Sequence, residues 1–182
     1  MLFRSRKVTV STSGLVPQIR KLAQSGVSVS LAVSLNATTD EIRTQVMPVN
    51  KRWPIKELLD AVKEFPVGPR KKVTMEYVML GGLNDTKDDM KRLVSLMRGL
   101  PVKVNLIPYN DNAGLGFKTP ARDWVFAWQK HLNDHGIAAF IRWSKGADIA
   151  AACGQLATES KQKRTPQSSR LPILDGESQV AA

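Results

Sequence analysis

Short apolar stretches alternate along this chain with longer segments in which apolar residues recur at helical spacing. The short stretches are rich in β-branched residues and predict five strands, at 7–11, 27–34, 73–80, 102–108 and 137–143. The longer segments predict helices at 15–25, from about 36–41 onward, and at 54–65, 86–99, 119–134 and 147–156. Strand and helix thus alternate five times.

This alternation predicts an α/β fold with about five parallel strands, because parallel neighbours need a crossover that a helix usually supplies. The near-continuous apolar stretches 100–108 and 137–143 further suggest strands covered on both faces. In such sheets and in (β/α) barrels, active sites lie at the carboxyl ends of the strands. After residue 157 the apolar periodicity stops. We therefore expect one domain over 1–157 and a disordered tail over 158–182.

The net charge indicates which class of partner the protein could bind. The 182 residues carry a formal net charge of +11, and residues 1–157 hold 23 Lys and Arg against 13 Asp and Glu. The excess therefore belongs to the predicted domain, which favours a polyanion such as nucleic acid as partner. A generically basic protein with no such partner is the alternative.

Polar residues collect where the predicted strands end. Hydroxyls, amides and glycines occur at 11–14, 34–36, 81–85, 109–114 and 144–146. Such groups suit a polar small molecule held by hydrogen bonds, although loops contain these residue types in any case. The single cysteine, Cys153, follows the fifth strand end. A lone thiol is either a small buried hydrophobe or a reactive nucleophile, and it is typical of a reducing compartment.

Six segments in this order resemble one family. They are Val8-Thr-Val-Ser-Thr-Ser-Gly14, Leu31-Ala-Val-Ser-Leu-Asn36, Met47-Pro-Val-Asn-Lys51, Glu76-Tyr-Val-Met-Leu80, Asn105-Leu-Ile-Pro-Tyr-Asn110 and Ala151-Ala-Cys-Gly-Gln-Leu156. Together they are similar to the C-terminal part of the RlmN/Cfr radical S-adenosylmethionine RNA methyltransferases. The resemblance covers about residues 6–157 and implies part of a partial (β/α) barrel.

The resemblance also implies roles for individual residues. Ser11, the segment Ser34-Leu35-Asn36, and Asn110 match positions that hold S-adenosylmethionine, and Cys153 matches the cysteine that carries a methyl group as an intermediate. Family members methylate C2, or in one branch C8, of an adenine in large-subunit ribosomal RNA, and some also act on transfer RNA. A [4Fe-4S] cluster and a flavodoxin-type reductant protein belong to the family's chemistry.

The chain departs from the family pattern at two points. Asn36 stands where the family commonly has His in a Ser-Leu-His segment. The cluster-binding Cys-x-x-x-Cys-x-x-Cys, a Gly-Glu cofactor segment, a second catalytic cysteine and a helical RNA-binding domain have no counterpart. We therefore expect no metal site in this chain, a truncated sequence, and no activity of the chain alone.

The expected setting follows from the family. We expect a cytoplasmic protein with no membrane association, or an organellar one if a transit peptide is missing. Two alternatives remain open at this point. The chain could be a non-catalytic RNA-binding fragment, or another (β/α) enzyme that uses Cys153 as a plain nucleophile. We also expect the strand at 8–10 to present an open sheet edge that promotes association.

Overall fold

The computed structural model describes residues 8–68, 71–110 and 116–143. The strands are β1 (Thr9–Thr12), β2 (Ser30–Ser34), β3 (Val73–Met79), β4 (Val102–Pro108) and β5 (Ala139–Ile141). The α-helices are α1 (Val16–Gln24), α2 (Asp40–Val46), α3 (Ile55–Glu64), α4 (Lys87–Met97) and α5 (Arg122–Asp134). A 3-10 helix, Pro48–Lys51, joins α2 to α3.

All five strands belong to one sheet, in the order β1-β2-β3-β4-β5, and every neighbouring pair is parallel. Sequential parallel strands with a helix after each of the first four are the arrangement of part of a (β/α) barrel. The predicted α/β fold is therefore confirmed. Because all strands run the same way, the polar segments that the structure describes, at 11–14, 34–36, 81–85 and 109–110, lie at one edge of the sheet.

The helices and one face of the sheet build the hydrophobic core. Alternate residues of β3 and β4 are buried there, and they pack with the apolar faces of α1, α3, α4 and α5. Trp128 of α5 is the largest fully buried side chain, and its ring lies 5.5 Å from that of Tyr77 in β3. Right-handed connections between sequential parallel strands place the connecting helices on the same face of the sheet.

The prediction that strands are covered on both faces is wrong for β4. Lys103, Asn105 and Ile107 alternate with the buried residues of this strand and are only half-buried. The alternation of Lys and Asn with Val and Leu is a period-two pattern, which reflects one buried face. We call this second face the open face.

Local signals explain several element boundaries. Thr86 caps α4 in a reciprocal capping box with Asp89, and the Thr39 hydroxyl accepts a hydrogen bond from the Ile42 N–H at the start of α2. The strands at 27–34 and 137–143 are shorter than predicted, because only the segments that reach a neighbouring strand are paired. The 3-10 helix was not predicted from the sequence.

Three predictions fall outside the described residues: the helix at 147–156, the tail at 158–182 and the placement of Cys153. In the described ranges, β1 pairs only with β2 and so lies at a sheet edge. Among the helices described, none has the length and apolar character needed to cross a membrane.

Candidate functional site

Several of the predicted site residues lie at the carboxyl edge of the sheet. Ser11 lies in β1, opposite Ala32 of β2, and Ser34 ends β2 opposite Glu76 of β3. Residues two apart in a strand share a face, so Ser11 and Ser34 both belong to the open face. Asn110 follows β4 at the same edge. Ser11, Ser34 and Asn110 thus lie at the carboxyl edge of the sheet, and their role in binding a cofactor stays a prediction.

The open face carries polar side chains in its middle strands. Cross-strand pairing places Thr74 beside Lys103 and Glu76 beside Asn105. Lys103 lies over the exposed ring of Phe140 in β5, with its Nζ 6.0 Å from the ring centroid. A carboxylate, an ammonium, hydroxyls and an amide thus line one surface that no described helix covers.

Asn36 directs its side chain into the protein. Its backbone has a φ of 57°, and its Oδ1 accepts a hydrogen bond from the Val78 N–H at 2.9 Å. Its Nδ2 donates to the sulfur of Met47 at 3.3 Å. The last backbone bond between β2 and β3 runs from the Leu35 N–H to the Glu76 carbonyl. The Asn36 side chain adds one further hydrogen bond between the two strands beyond it.

Asn84, in the turn after β3, holds this end of the sheet from one side. Its side chain is fully buried, accepts from the Leu80 N–H at 2.7 Å, and donates to the carbonyls of Asn36 and Val78, both at 2.8 Å. Its own carbonyl accepts the Tyr77 hydroxyl at 2.7 Å. Burial raises the pKa of that hydroxyl, which keeps it a donor.

Arg43 of α2 holds the same region from the other side. Its side chain is fully buried, and its guanidinium donates to the carbonyls of Ser13, Ser34 and Leu35 at 2.8, 3.1 and 3.0 Å. A fourth bond joins Nη1 to Oδ1 of Asn50 at 2.9 Å. Burial lowers the pKa of Arg43 to about 10, so the group remains charged at neutral pH.

Asn50 links this arginine to the helices beyond it. Its Nδ2 donates to the Asp40 carbonyl, to Asp40 Oδ1 and to the Thr44 hydroxyl at 3.0–3.1 Å. Asp40 Oδ1 also accepts the Ile55 N–H at 2.8 Å, at the start of α3. The segment between β2 and α3 is therefore joined to the sheet through polar contacts.

A second polar cluster lies at the start of α4. Asp89 accepts hydrogen bonds from the hydroxyls of Thr38 and Thr86, and Arg92 donates to it at 2.6 Å. Burial raises the pKa of Asp89, but the hydrogen bonds outweigh it and bring the pKa below the ordinary value. The cluster anchors the segment after Asn36 to α4.

Arg43 and Asn84 are the residues that sequence reasoning missed. An arginine in an amphipathic helix normally reaches solvent, so no local signal in Asp-Glu-Ile-Arg marks Arg43 as buried. Asn84 lies in a turn that we predicted to be polar, yet its burial depends on residues 48 positions away.

The donor set fits S-adenosylmethionine, which carries an amine, a carboxylate, ribose hydroxyls and an adenine. Ser11, Ser34 and Asn110 offer hydroxyl and amide groups, and Glu76 on the same face offers a carboxylate for a cationic group. In addition, the buried hydroxyl of Tyr109, next to Asn110, has no hydrogen-bond partner in the described residues. A polar ligand at this edge could satisfy it.

The residues do not fit an iron–sulfur cluster. The sequence contains one cysteine, whereas such clusters are held by several thiolates. The described ranges likewise contain no group of three metal-ligating side chains. Any cluster used with this chain would need its ligands from elsewhere.

Comparisons with known proteins extend these observations. No family model matches the chain. Curated proteins named dual-specificity RNA methyltransferase RlmN do match. Those of Pelobacter propionicus and Geobacter sulfurreducens are each 52% identical over 162 and 154 residues, and that of Anaeromyxobacter dehalogenans is 55% identical over 157 residues. These alignments cover 85–89% of this chain but 42–47% of the relatives, so the chain spans less than half of their length.

Solved structures agree with this assignment. A radical SAM methyltransferase from Sphaerobacter thermophilus is 43% identical with a TM-score of 0.77, over 84% of this chain and 45% of that one. A domain of pyruvate-formate lyase-activating enzyme from Bacteroides vulgatus shares the fold, at 18% identity with a TM-score of 0.59, over 74% and 80% of the two chains. Identity near 50% over most of the chain, together with this fold, decides the family: the chain belongs to the RlmN/Cfr radical S-adenosylmethionine RNA methyltransferases.

Proposed function

We propose that residues 1–157 form the C-terminal part of the core domain of an adenine-C2 RNA methyltransferase. The observation that carries this proposal is the segment Ser34-Leu35-Asn36, which is fixed between Arg43 and Asn84 at the carboxyl end of β2, beside Ser11. This is the segment that the family resemblance assigns to S-adenosylmethionine. Ser34 and Asn36 are polar and half-buried, as residues that bind a cofactor through hydrogen bonds need to be.

Within this proposal, Ser11, Ser34 and Asn110 bind the polar groups of S-adenosylmethionine, and Leu35 and Asn36 shape the cradle. Leu35 is fully buried, so its contribution is to fix the backbone on either side of it. When bound, S-adenosylmethionine supplies the methyl group. Cys153 is the proposed acceptor of that methyl group, because a thiolate is a strong nucleophile.

The proposed substrate is an adenine in large-subunit ribosomal RNA, with transfer RNA as a second substrate. The basic excess of residues 1–157 supports a polyanionic partner, since clustered Lys and Arg supply most non-specific affinity for RNA. We further propose a cytoplasmic setting and a flavodoxin-type reductant. Because this chain holds a single cysteine, we expect it to need cluster ligands from another polypeptide segment and to be inactive alone.

A chimera tests the proposal. These residues would replace the matching part of the Geobacter sulfurreducens relative, and the chimera would be expressed in a bacterium that lacks its own enzyme of this family. We expect 2-methyladenosine in the ribosomal RNA, measured by mass spectrometry of nucleosides, and a Cys153 peptide heavier by one methyl group. The chain alone should give neither.

The matched control is the same chimera with Cys153→Ala, which should lose the RNA product while keeping its expression level. If Cys153→Ala methylates RNA as well as the parent chimera, Cys153 is not the methyl carrier. If the folded parent chimera produces no methylated adenine, the proposal fails and a non-catalytic RNA-binding role becomes the better account. An active chimera whose Cys153 is never methylated would favour a plain nucleophile.

A further inference from the structure

We infer that Arg43 is a positioning residue for the proposed cofactor site, and that it sets the spacing between the ends of β1 and β2. The inference rests on the proposed function, because Ser11 and Ser34–Asn36 lie on the two strands that it joins. Arg43 itself does not belong to the segments that the family resemblance assigns to the cofactor.

The guanidinium reaches across two strands. It binds the Ser13 carbonyl just beyond β1, and the Ser34 and Leu35 carbonyls at the end of β2. Backbone pairing between these strands ends at Thr12 and Val33, so the ladder itself does not hold the residues beyond. The planar fork of Arg43 therefore replaces the missing rungs.

The backbone approaches the guanidinium closely at Gly14. Gly14 has a φ of 107°, and a Cβ at this position would lie 2.8 Å from Nη2 of Arg43. Such a contact is too short to persist, so a side chain at this position would displace the guanidinium or the end of β1. Glycine is therefore favoured here both by the conformation and by the space.

The orientation of the guanidinium is also fixed from behind. Asn50 accepts from Nη1 while its own amide is held by Asp40 and Thr44. Among the described residues, no carboxylate forms an ion pair with Arg43. Asp40 acts on Arg43 only through its charge, and it raises the pKa of Arg43 less than burial lowers it. A buried charge without an ion pair contributes little net stability, since its desolvation is costly. Its geometric effect, the fixed relation of two strand ends, is the better explanation.

This role predicts a selective response to substitution. In Arg43→Lys the ammonium keeps the charge but cannot span three carbonyls and Asn50 together. We expect faster hydrogen exchange at the Gly14 and Leu35 amides, which lie at the two joined ends, and unchanged exchange at Val104 in β4. Affinity for S-adenosylmethionine should fall by about tenfold, because small displacements of binding groups are costly.

The experiment uses the full chain. Hydrogen exchange and ligand titration would both be followed by two-dimensional NMR, which detects even weak binding of S-adenosylmethionine. Val125→Ala, on the buried face of α5, is the matched control, since it lowers stability at a site remote from β1 and β2. It should leave the affinity unchanged. Gly14→Ala, which displaces the end of β1 and keeps the arginine, serves if Arg43→Lys does not fold.

The outcomes separate the two claims. If hydrogen exchange at position 14 and at Leu35 is unchanged in the folded variants, Arg43 does not join the two strand ends. Faster exchange with wild-type affinity shows that Arg43 is structural only, and also overturns the inference. If the wild-type chain shows no shifts with S-adenosylmethionine, the proposed cofactor site of this chain fails, whereas the exchange data still decide whether Arg43 joins the strands.

Discussion

Asn84→Ala should destabilise the protein far more than a typical asparagine substitution. The side chain is fully buried and satisfies three backbone groups that belong to different segments: the Leu80 N–H and the carbonyls of Asn36 and Val78. Alanine removes all three bonds at once. It also leaves a small cavity at the position of the amide group.

The magnitude follows from the environment of each group. The Leu80 N–H is buried, and an unsatisfied buried donor costs about 1–3 kcal/mol. The two carbonyls are only partly buried, so water can reach them and each loss costs about 0.5–1 kcal/mol. The sum is about 2–5 kcal/mol, a large part of the roughly 5–15 kcal/mol of a typical domain.

The free energy of unfolding would be measured by urea titration followed by circular dichroism. Asn105→Ala is the matched control, because Asn105 is half-buried on the open face of β4 and should change stability by only about 0.5 kcal/mol. If Asn84→Ala loses less than about 1 kcal/mol more than this control, the three bonds do not contribute the stability that their burial implies.

Two further predictions concern the same edge of the sheet. Gly14→Ala should cost clearly more than Gly26→Ala: both glycines have positive φ, but only the Cβ at Gly14 meets other groups, Arg43 and Leu58. Equal losses in thermal unfolding would refute the close approach. Asp89 has a pKa lowered from 3.8, so its stabilising effect is fully present above that pH and is lost as the pH falls through the lower folded value. The unfolding free energy of Asp89→Asn should therefore decline less steeply than wild type in this acid range, and parallel profiles would contradict the assignment.

Residues with strong local or periodic signals were predictable. The buried positions of α3, Ile55, Leu58 and Val62, recur at helical spacing, and the Thr86 capping box marks where α4 begins. The placement of Ser11 and Ser34 at one edge also follows from sequence, because parallel strands bring their ends together. The direction of the Asn36 side chain does not, since its partner Val78 lies 42 residues away.

The sequence by itself determined the alternation of strands and helices, the family and the segments that are expected to hold the cofactor, because these depend on local periodicity and residue type. Only the tertiary structure decided which polar residues are buried and what they hold. Arg43 and Asn84 look like ordinary surface and turn residues in the sequence. They become fully buried anchors only when strands far apart in the chain meet, because a hydrogen bond between distant segments has no local signature.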